Sequence, residues 1–236
     1  MSTNILIPSI ENRLGAWVES ARRNDAEKGA VTKRKPTITL SREFGCEAYP
    51  VAEILHKLLE DKTGGSWPIM DKALLEKVSQ DHNLSEKTLK ELGEKAGFFD
   101  EILTSFSPTW KTEKDYYRLL CQQIISLAIA GHVILVGRGS ANITQRMKNC
   151  YHFRLFASMD FKISSIALRM GISNKEAEKL IINKQKQRDM FTRDFLNKDG
   201  KDLSVYHLIF NNDKNQPEQI AATIMEYVYR NSSVNE

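Results

Sequence analysis

Residues 36–55 combine a strand pattern, a turn and a helix pattern in one continuous stretch. The run 37–40 is β-branched or aliphatic and follows a proline, which predicts a short buried strand. Helical spacing is seen in the apolar residues Val51, Ile54, Leu55, Leu58 and Leu59. Pro50 suits the first turn of that helix. The turn from Ser41 to Pro50 therefore ends at a helix start, where free backbone N–H groups can hold phosphate.

Further strand patterns follow at residues 67–70, 132–136, 151–156 and 205–210, with helix patterns between them. The run 132–136 is continuously apolar after its first residue, as expected of a parallel strand covered on both faces. A helix is predicted from Glu113 to Ala130, and a capping box at Ser173 and Glu176 starts another. This alternation predicts an α/β fold, a doubly wound parallel sheet of about five strands with helices on both faces.

Composition excludes several classes of protein. The net charge of +4 is dispersed, so we expect no nucleic-acid partner. Cys46, Cys121 and Cys150 are odd in number and form no C-x-x-C pair, so neither a disulfide framework nor a zinc site is indicated, and we assign no residue to metal binding. The most apolar run, 124–136, is too short to span a bilayer, and the N-terminus has no secretion signal pattern. We expect a cytoplasmic protein without a membrane partner.

Two further segments carry residues suited to phosphate chemistry. Gly137-Arg138-Gly139 follows the strand 132–136, at the end of the strand where open α/β sheets bind ligands. An arginine there offers a planar fork for phosphate, although the same tripeptide also suits a solvated turn. The run from Lys184 to Arg188 is basic, and a solvated helix face is an equally good interpretation of it.

These segments together resemble the cytidylate kinase-like family of P-loop proteins. Leu40-Ser-Arg-Glu-Phe-Gly-Cys-Glu-Ala48 is similar to the family's Ile-Ser-Arg-Glu-Tyr-Gly-Ser-Gly-Gly. Val136-Gly-Arg-Gly-Ser140 is similar to its Val-Gly-Arg-Gly-Ala. Gln185, Arg188 and Phe191 stand where members carry Asp-x-x-Arg-x-x-Tyr, and the segment 206–212 echoes the family's last strand. The four matches occur in order and cover the chain from about Thr37 to the closing helix.

The resemblance implies a P-loop NTPase-like fold and phosphoryl transfer from ATP, with Mg²⁺, to a nucleoside monophosphate such as CMP. It implies a kinase-like domain at 36–232, with an acceptor-binding insert at about 71–112 and a lid at about 172–195. It assigns nucleotide binding to Ser41, Arg42, Gly45 and Cys46. It assigns acceptor binding to Asp71, Arg138 and Gly139, and catalysis to Arg138, Lys184 and Arg188. Asp71 is also a favoured helix N-cap residue.

The phosphate turn departs from the family at several positions. The pattern G-x-x-x-x-G-K-[ST] is absent, and Glu47 and Ala48 replace a pair of glycines. If those positions need positive φ, each replacement costs ~1–2 kcal/mol, and a carboxylate near phosphate adds repulsion. Arg42 could replace the missing lysine or could anchor the sheet. The alternative to a kinase is therefore a non-catalytic ligand- or protein-binding module of the same fold.

Residues 1–35 are predicted to form an N-terminal helical extension and linker. Leu14, Trp17, Val18 and Ala21 lie on one face of a helix pattern from Ser9 to about Lys28. That face suits a helix docked on the body of the protein, or a dimerisation or partner helix, so a homo-oligomer stays open. Aromatic residues at 98–110 suit either a stacking surface for a base or the core of the insert.

Overall fold

The computed structural model describes residues 35–75 and 113–234. The predicted N-terminal helix and most of the predicted acceptor-binding insert lie outside these residues. The strands are β1 (Thr37–Arg42), β2 (Ile69–Met70), β3 (Val133–Val136), β4 (Cys150–Phe156) and β5 (Leu208–Asn211). The helices are α1 (Ala48–Thr63), α2 (Glu113–Ala130), α3 (Ser140–Thr144), α4 (Met159–Met170), α5 (Asn174–Leu196) and α6 (Pro217–Val234). None of these helices, in the part of the chain described, is long and apolar enough to cross a membrane.

The five strands form one parallel sheet in the order β2-β3-β1-β4-β5. β1 is the central strand, and its Thr37 and Leu40 pair with Val133 and Val136 of β3. The predicted five-stranded parallel sheet is confirmed. β5 begins at Leu208, later than the predicted residue 205, because the chain still turns where the Tyr206 amide bonds the Leu203 carbonyl.

Helices cover both faces of the sheet, as predicted for a doubly wound fold. On one face α1 and α6 pack on β1 and β3 through buried aliphatic residues, among them Leu55, Ile224 and Leu40. On the other face α2 packs on β3, with Ile124 against Leu135 in the same apolar cluster. Burial of these apolar side chains stabilises the fold by ~25 cal/mol per Å² removed from water.

Two threonines on β1 place polar groups inside the sheet, and both find partners. Thr37 Oγ1 donates to the Ala128 carbonyl at 3.1 Å, which ties the start of β1 to the end of α2. Thr39 Oγ1 lies 2.9 Å from Nδ1 of the buried His152 on β4. Because these groups are hydrogen-bonded, the central strand stays buried without an unsatisfied side chain at either threonine. It therefore holds the turn that follows it in a fixed position.

Candidate phosphate-binding site

Three neighbouring strands end at the same edge of the sheet, and each is followed by residues that the sequence singled out. β1 leads into the phosphate turn at residues 43–47, β3 into Gly137-Arg138-Gly139, and β2 into Asp71. The carboxyl ends of adjacent parallel strands lie side by side, so the three segments surround one edge. Asp71 caps the helix that follows it, because its Oδ1 accepts from the Leu74 amide at 3.1 Å.

Arg42 crosses from the end of β1 to the end of β3. A Cβ at Gly137 would overlap Nη1 of Arg42, so the guanidinium lies directly against the backbone there. Gly137 also has φ of +82°, a conformation that other residues adopt only with strain. Two separate features therefore require glycine at position 137: the positive φ angle and the close approach of the Arg42 guanidinium.

Arg138 follows in the left-handed region, with φ of +53° between two glycines that also have positive φ. A non-glycine residue in this region costs ~1–2 kcal/mol, and such strain concentrates at functional sites. The Arg138 guanidinium lies 5.1 Å from the ring centre of Phe191 on α5. The second glycine, Gly139, packs against Leu196 at the end of the same helix. The strained turn thus points an arginine at α5.

Arg42, Arg138 and Arg188 are close enough to affect one another's charge. The pKa of Arg42 is lowered to about 9, mainly by burial and then by Arg188 and Arg138, while Asp71 opposes the shift. Burial also lowers the pKa of Arg188, and Arg138 acts on it in the same direction. Since Arg42 ends β1, Arg138 follows β3 and Arg188 lies on α5, the fold gathers like charges that are far apart in the sequence.

Two lysines extend this group of cations. Burial lowers the pKa of Lys72, and Arg138, Lys184 and Arg188 then lower it further. We name this set the cationic cluster: Arg42, Lys72, Arg138, Lys184 and Arg188. Asp71 is not a member of this cluster, but its carboxylate acts on the cluster by raising the pKa of Arg42. The excess of positive charge suits a multiply charged anion such as a phosphate group.

The backbone amides of the phosphate turn are bonded to the protein itself. The Phe44 amide donates to Oε1 of Gln185 on α5 at 2.8 Å. The Glu47 amide donates to Oδ1 of Asn212, after β5, also at 2.8 Å. Between them the Cys46 amide reaches the Glu43 carbonyl at 3.4 Å. Side-chain oxygens from two distant segments thus stand at amides that would otherwise face an anion at this helix start.

Helix α4 covers the outer side of the turn. Lys162 Nζ forms an ion pair with Glu43 at 2.8 Å, and Arg169 Nη2 donates to the Gly45 carbonyl at 3.5 Å. Gly45 has φ of +103°, and a Cβ there would lie 2.7 Å from Cβ of Lys162. The helix therefore approaches the turn so closely that only glycine fits at position 45.

The condition for backbone strain at Glu47 and Ala48 is not met. Glu47 has φ of −90° and Ala48 is the first residue of α1, so neither position needs a glycine for its conformation. The Glu47 carboxylate is turned to α4, where Oε1 accepts from Oγ of Ser165 at 3.5 Å. What restricts the turn is instead the occupation of its amides by Gln185 and Asn212.

Three further predicted site residues, Ser41, Cys46 and the cluster member Lys184, have different surroundings. Ser41 is partly buried near the end of β1, and Lys184 Nζ donates to Gln187 Oε1 at 3.3 Å on the exposed side of α5. Burial and then Glu43 raise the pKa of the Cys46 thiol to about 12, so it stays neutral.

Sequence reasoning did not assign binding roles to Lys72, Phe44, Gln185 or Asn212. Lys72 could have been found because it directly follows Asp71 at a strand end, and Asn212 because an Asn-Asn pair follows the last strand. Gln185 stands where the family carries an aspartate, and its amide oxygen accepts a hydrogen bond from the Phe44 amide.

No curated protein sequence matches the chain, while a family model and solved structures do. The model of the cytidylate kinase-like family matches residues 37–214. A crystal structure of an uncharacterized protein from Eubacterium ventriosum is similar with a TM-score of 0.65 and 20% sequence identity, and the match covers 83% of this chain and 99% of that chain. A shikimate kinase from Bacteroides thetaiotaomicron gives a TM-score of 0.44 and 15% identity, covering 82% of this chain and 98% of that chain.

Proposed function

Because the chain belongs to the cytidylate kinase-like family, we propose that it binds the phosphate of a nucleoside monophosphate, such as CMP, and transfers to it the γ-phosphoryl group of ATP. The acceptor phosphate would be held by the cationic cluster, with Arg138 in direct contact. The ATP phosphates would lie at the turn, at the backbone amides from Phe44 to Glu47, which include those of Gly45 and Cys46. The family match supports a nucleotide kinase-like protein, and we propose the acceptor and the phosphoryl transfer in addition.

The observation that carries this proposal is the mutual influence of Arg42, Arg138 and Arg188. Burying like charges together is costly: Arg188 and Arg138 lower the pKa of Arg42, and Arg138 lowers the pKa of Arg188. A dianionic phosphate would reverse that cost, because a guanidinium donates two parallel hydrogen bonds to phosphate oxygens. The cationic cluster should therefore be more stable with a phosphate bound to it than without one.

Phosphoryl transfer requires little covalent help from the protein. An oxygen of the acceptor phosphate attacks the γ-phosphorus of ATP, the bond from that phosphorus to the β,γ-bridging oxygen breaks, and ADP leaves with the electron pair. Positioning and charge stabilisation provide the rate enhancement. In this chain Arg138 would orient the acceptor, while Lys184 and Arg188 would balance the negative charge of the transferring group.

Magnesium would enter with ATP. Among residues 35–75 and 113–234, no group of three His, Cys, Asp or Glu side chains could hold a metal ion. Magnesium commonly retains several waters and is bound mainly by substrate phosphates, so a dedicated protein site is not required. Bound in that way it would neutralise phosphate charge. The described residues thus fit Mg²⁺ only as part of the nucleotide complex.

A second candidate function is a non-catalytic ligand-binding module, and a specific observation favours it. The Phe44 and Glu47 amides already donate to Gln185 and Asn212, so ATP must compete with two internal acceptors. A protein that keeps the cationic cluster but leaves the turn closed would bind a phosphorylated ligand without transferring a phosphoryl group.

Calorimetric titration and an ADP-release assay separate these functions. We expect a nucleoside monophosphate to bind the wild-type protein, and Arg138→Ala to weaken binding by ~1.5–3 kcal/mol, the contribution of a hydrogen bond to a charged group. The control Arg146→Ala removes an exposed arginine and leaves binding unchanged. ADP formation that depends on the acceptor supports the kinase; binding without it supports the module. Absence of binding by every nucleoside monophosphate would refute the kinase, and absence of binding by inorganic phosphate as well would refute the module.

A further inference from the structure

One face of α5 is applied directly to the phosphate turn. Residues 185, 188 and 189 lie on this face, since positions three and four apart are neighbours on a helix. Gln185 Oε1 accepts from the Phe44 amide at 2.8 Å, and Arg188 Nη1 donates to the Arg42 carbonyl at 3.1 Å. Helix α5 therefore holds one backbone group of the turn, the Phe44 amide, and one of the strand before it, the Arg42 carbonyl.

The orientation of the Gln185 side chain is set by Asp189. Gln185 Nε2 donates to Asp189 Oδ1 at 2.8 Å, which leaves Oε1 to face the turn. The Arg188 guanidinium also lies over the ring of Phe44, 5.1 Å from its centre. Helix α5 therefore contacts both the backbone amide and the side chain of Phe44. We name Gln185, Arg188 and Asp189 the α5 latch.

We propose that the α5 latch is an internal competitor for ATP, in which the Gln185 carbonyl oxygen occupies the position of a phosphate oxygen at the Phe44 amide. This inference rests on the proposed binding of ATP at the turn. A neutral amide oxygen and a phosphate oxygen are both acceptors for a backbone N–H, so they exclude each other at one donor. The phosphate bond is the stronger of the two because its acceptor is charged. The latch can therefore be displaced, and it lowers the affinity for ATP without abolishing binding.

Gln185→Met removes the acceptor while keeping a long, helix-compatible side chain. It fits its surroundings, since Gln185 lines a groove of about 430 Å³ between α4 and α5 that Ile181 and Met190 also line. A net neutral hydrogen bond is worth ~0.5–1.5 kcal/mol. We therefore expect magnesium-ATP to bind the variant roughly 2- to 12-fold more tightly than the wild type. The matched control is Asn183→Ala, an exposed amide on the same helix, with unchanged affinity.

Hydrogen exchange of the ¹⁵N-labelled protein gives a readout that needs no nucleotide. The Phe44 amide should be protected in the wild type and in Asn183→Ala, and should exchange faster in Gln185→Met. Equal exchange in all three proteins would overturn the latch. Equal magnesium-ATP affinity in wild type and Gln185→Met would overturn it too, while leaving the proposed function standing. Failure of magnesium-ATP to bind any of the three proteins would overturn the ATP-binding function itself, and the latch as a competitor with it.

Discussion

Replacing Arg42 by methionine should make the protein more stable and less able to bind a phosphorylated ligand. Arg42 is partly buried at the junction of β1 and β3, against the backbone of Gly137. Arg188 and Arg138 add repulsion to the cost of its burial, and Asp71 compensates for part of it. Methionine is shorter than arginine but flexible and uncharged, so it can fill much of the same space without that cost.

The size of the effect follows from the pKa of Arg42. Its fall from 12.5 to about 9 means that the protonated side chain is held at a cost of ~5 kcal/mol, at 1.36 kcal/mol per pKa unit. Removing Arg42 relieves its repulsion by Arg188 and Arg138 but also takes a partner from Asp71, and replacing complete buried ion pairs by apolar groups of similar volume stabilises proteins by ~1–4 kcal/mol. We expect the free energy of unfolding of Arg42→Met to rise by an amount in that range at pH 7, where Arg42 of the wild type is fully charged.

Urea unfolding with and without CMP measures both halves of this prediction. A ligand at a hundred times its dissociation constant stabilises a folded protein by ~2.7 kcal/mol. The wild type should gain about that amount from saturating CMP, and Arg42→Met much less, because a cation of the cluster is missing. Arg146→Met is the control, since it makes the same chemical change at an exposed position. Arg42→Met being less stable than the wild type without ligand, or gaining as much from CMP, would contradict the reasoning.

Three further predictions concern single residues. Burial, and then His207, lower the pKa of His152 to about 4, so the stability due to its neutral ring is complete above pH 6.5 and is lost as pH falls toward 4. His152→Gln should therefore lose ~2.5 kcal/mol less than the wild type between pH 8 and 4.5 in urea unfolding, and equal losses would argue against it. Arg138→Gly should be up to ~1 kcal/mol more stable than Arg138→Ala, because only alanine pays for positive φ; calorimetric melting that ranks alanine first would contradict this. Glu47→Gly and Glu47→Gln should bind magnesium-ATP within about twofold of each other, since φ at 47 is already negative and only the charge changes; a gain confined to glycine in titration would restore the strain argument.

Local patterns predicted most of the fold because their causes are local. α2 has the predicted bounds, Glu113 to Ala130, and Ser173 forms the predicted capping box with Glu176. The strand predicted at 132–136 forms as Val133–Val136, since its continuous apolar run can be buried only in the middle of a covered sheet. His132 is excluded because its φ is +49°, which turns the chain into the strand.

The state of the phosphate turn could not be read from the sequence. The hydrogen bond from Phe44 to Gln185 joins residues 141 positions apart, and that from Glu47 to Asn212 joins residues 165 apart. No local pattern encodes which side-chain oxygen reaches which amide. Whether Glu47 is strained could not be read from the sequence either, because residue type alone does not give the φ angle, which is −90° at the start of α1.

The α5 latch and the cationic cluster share Arg188, and this makes the two proposed binding sites dependent on each other. Arg188 holds the Arg42 carbonyl in the latch and also acts on Lys72 and Arg42 in the cluster. A phosphate bound at the cluster would attract this guanidinium and weaken the latch, so CMP should raise the affinity for ATP, and ATP must raise that for CMP by the same factor. The coupling is measured by titrating a non-hydrolysable ATP analogue with and without saturating CMP. In Gln185→Met, whose Phe44 amide is already free, CMP should change the affinity for the analogue less than in the wild type. An equal change in both proteins would mean that Arg188 serves the cluster alone and that the turn opens independently of the acceptor.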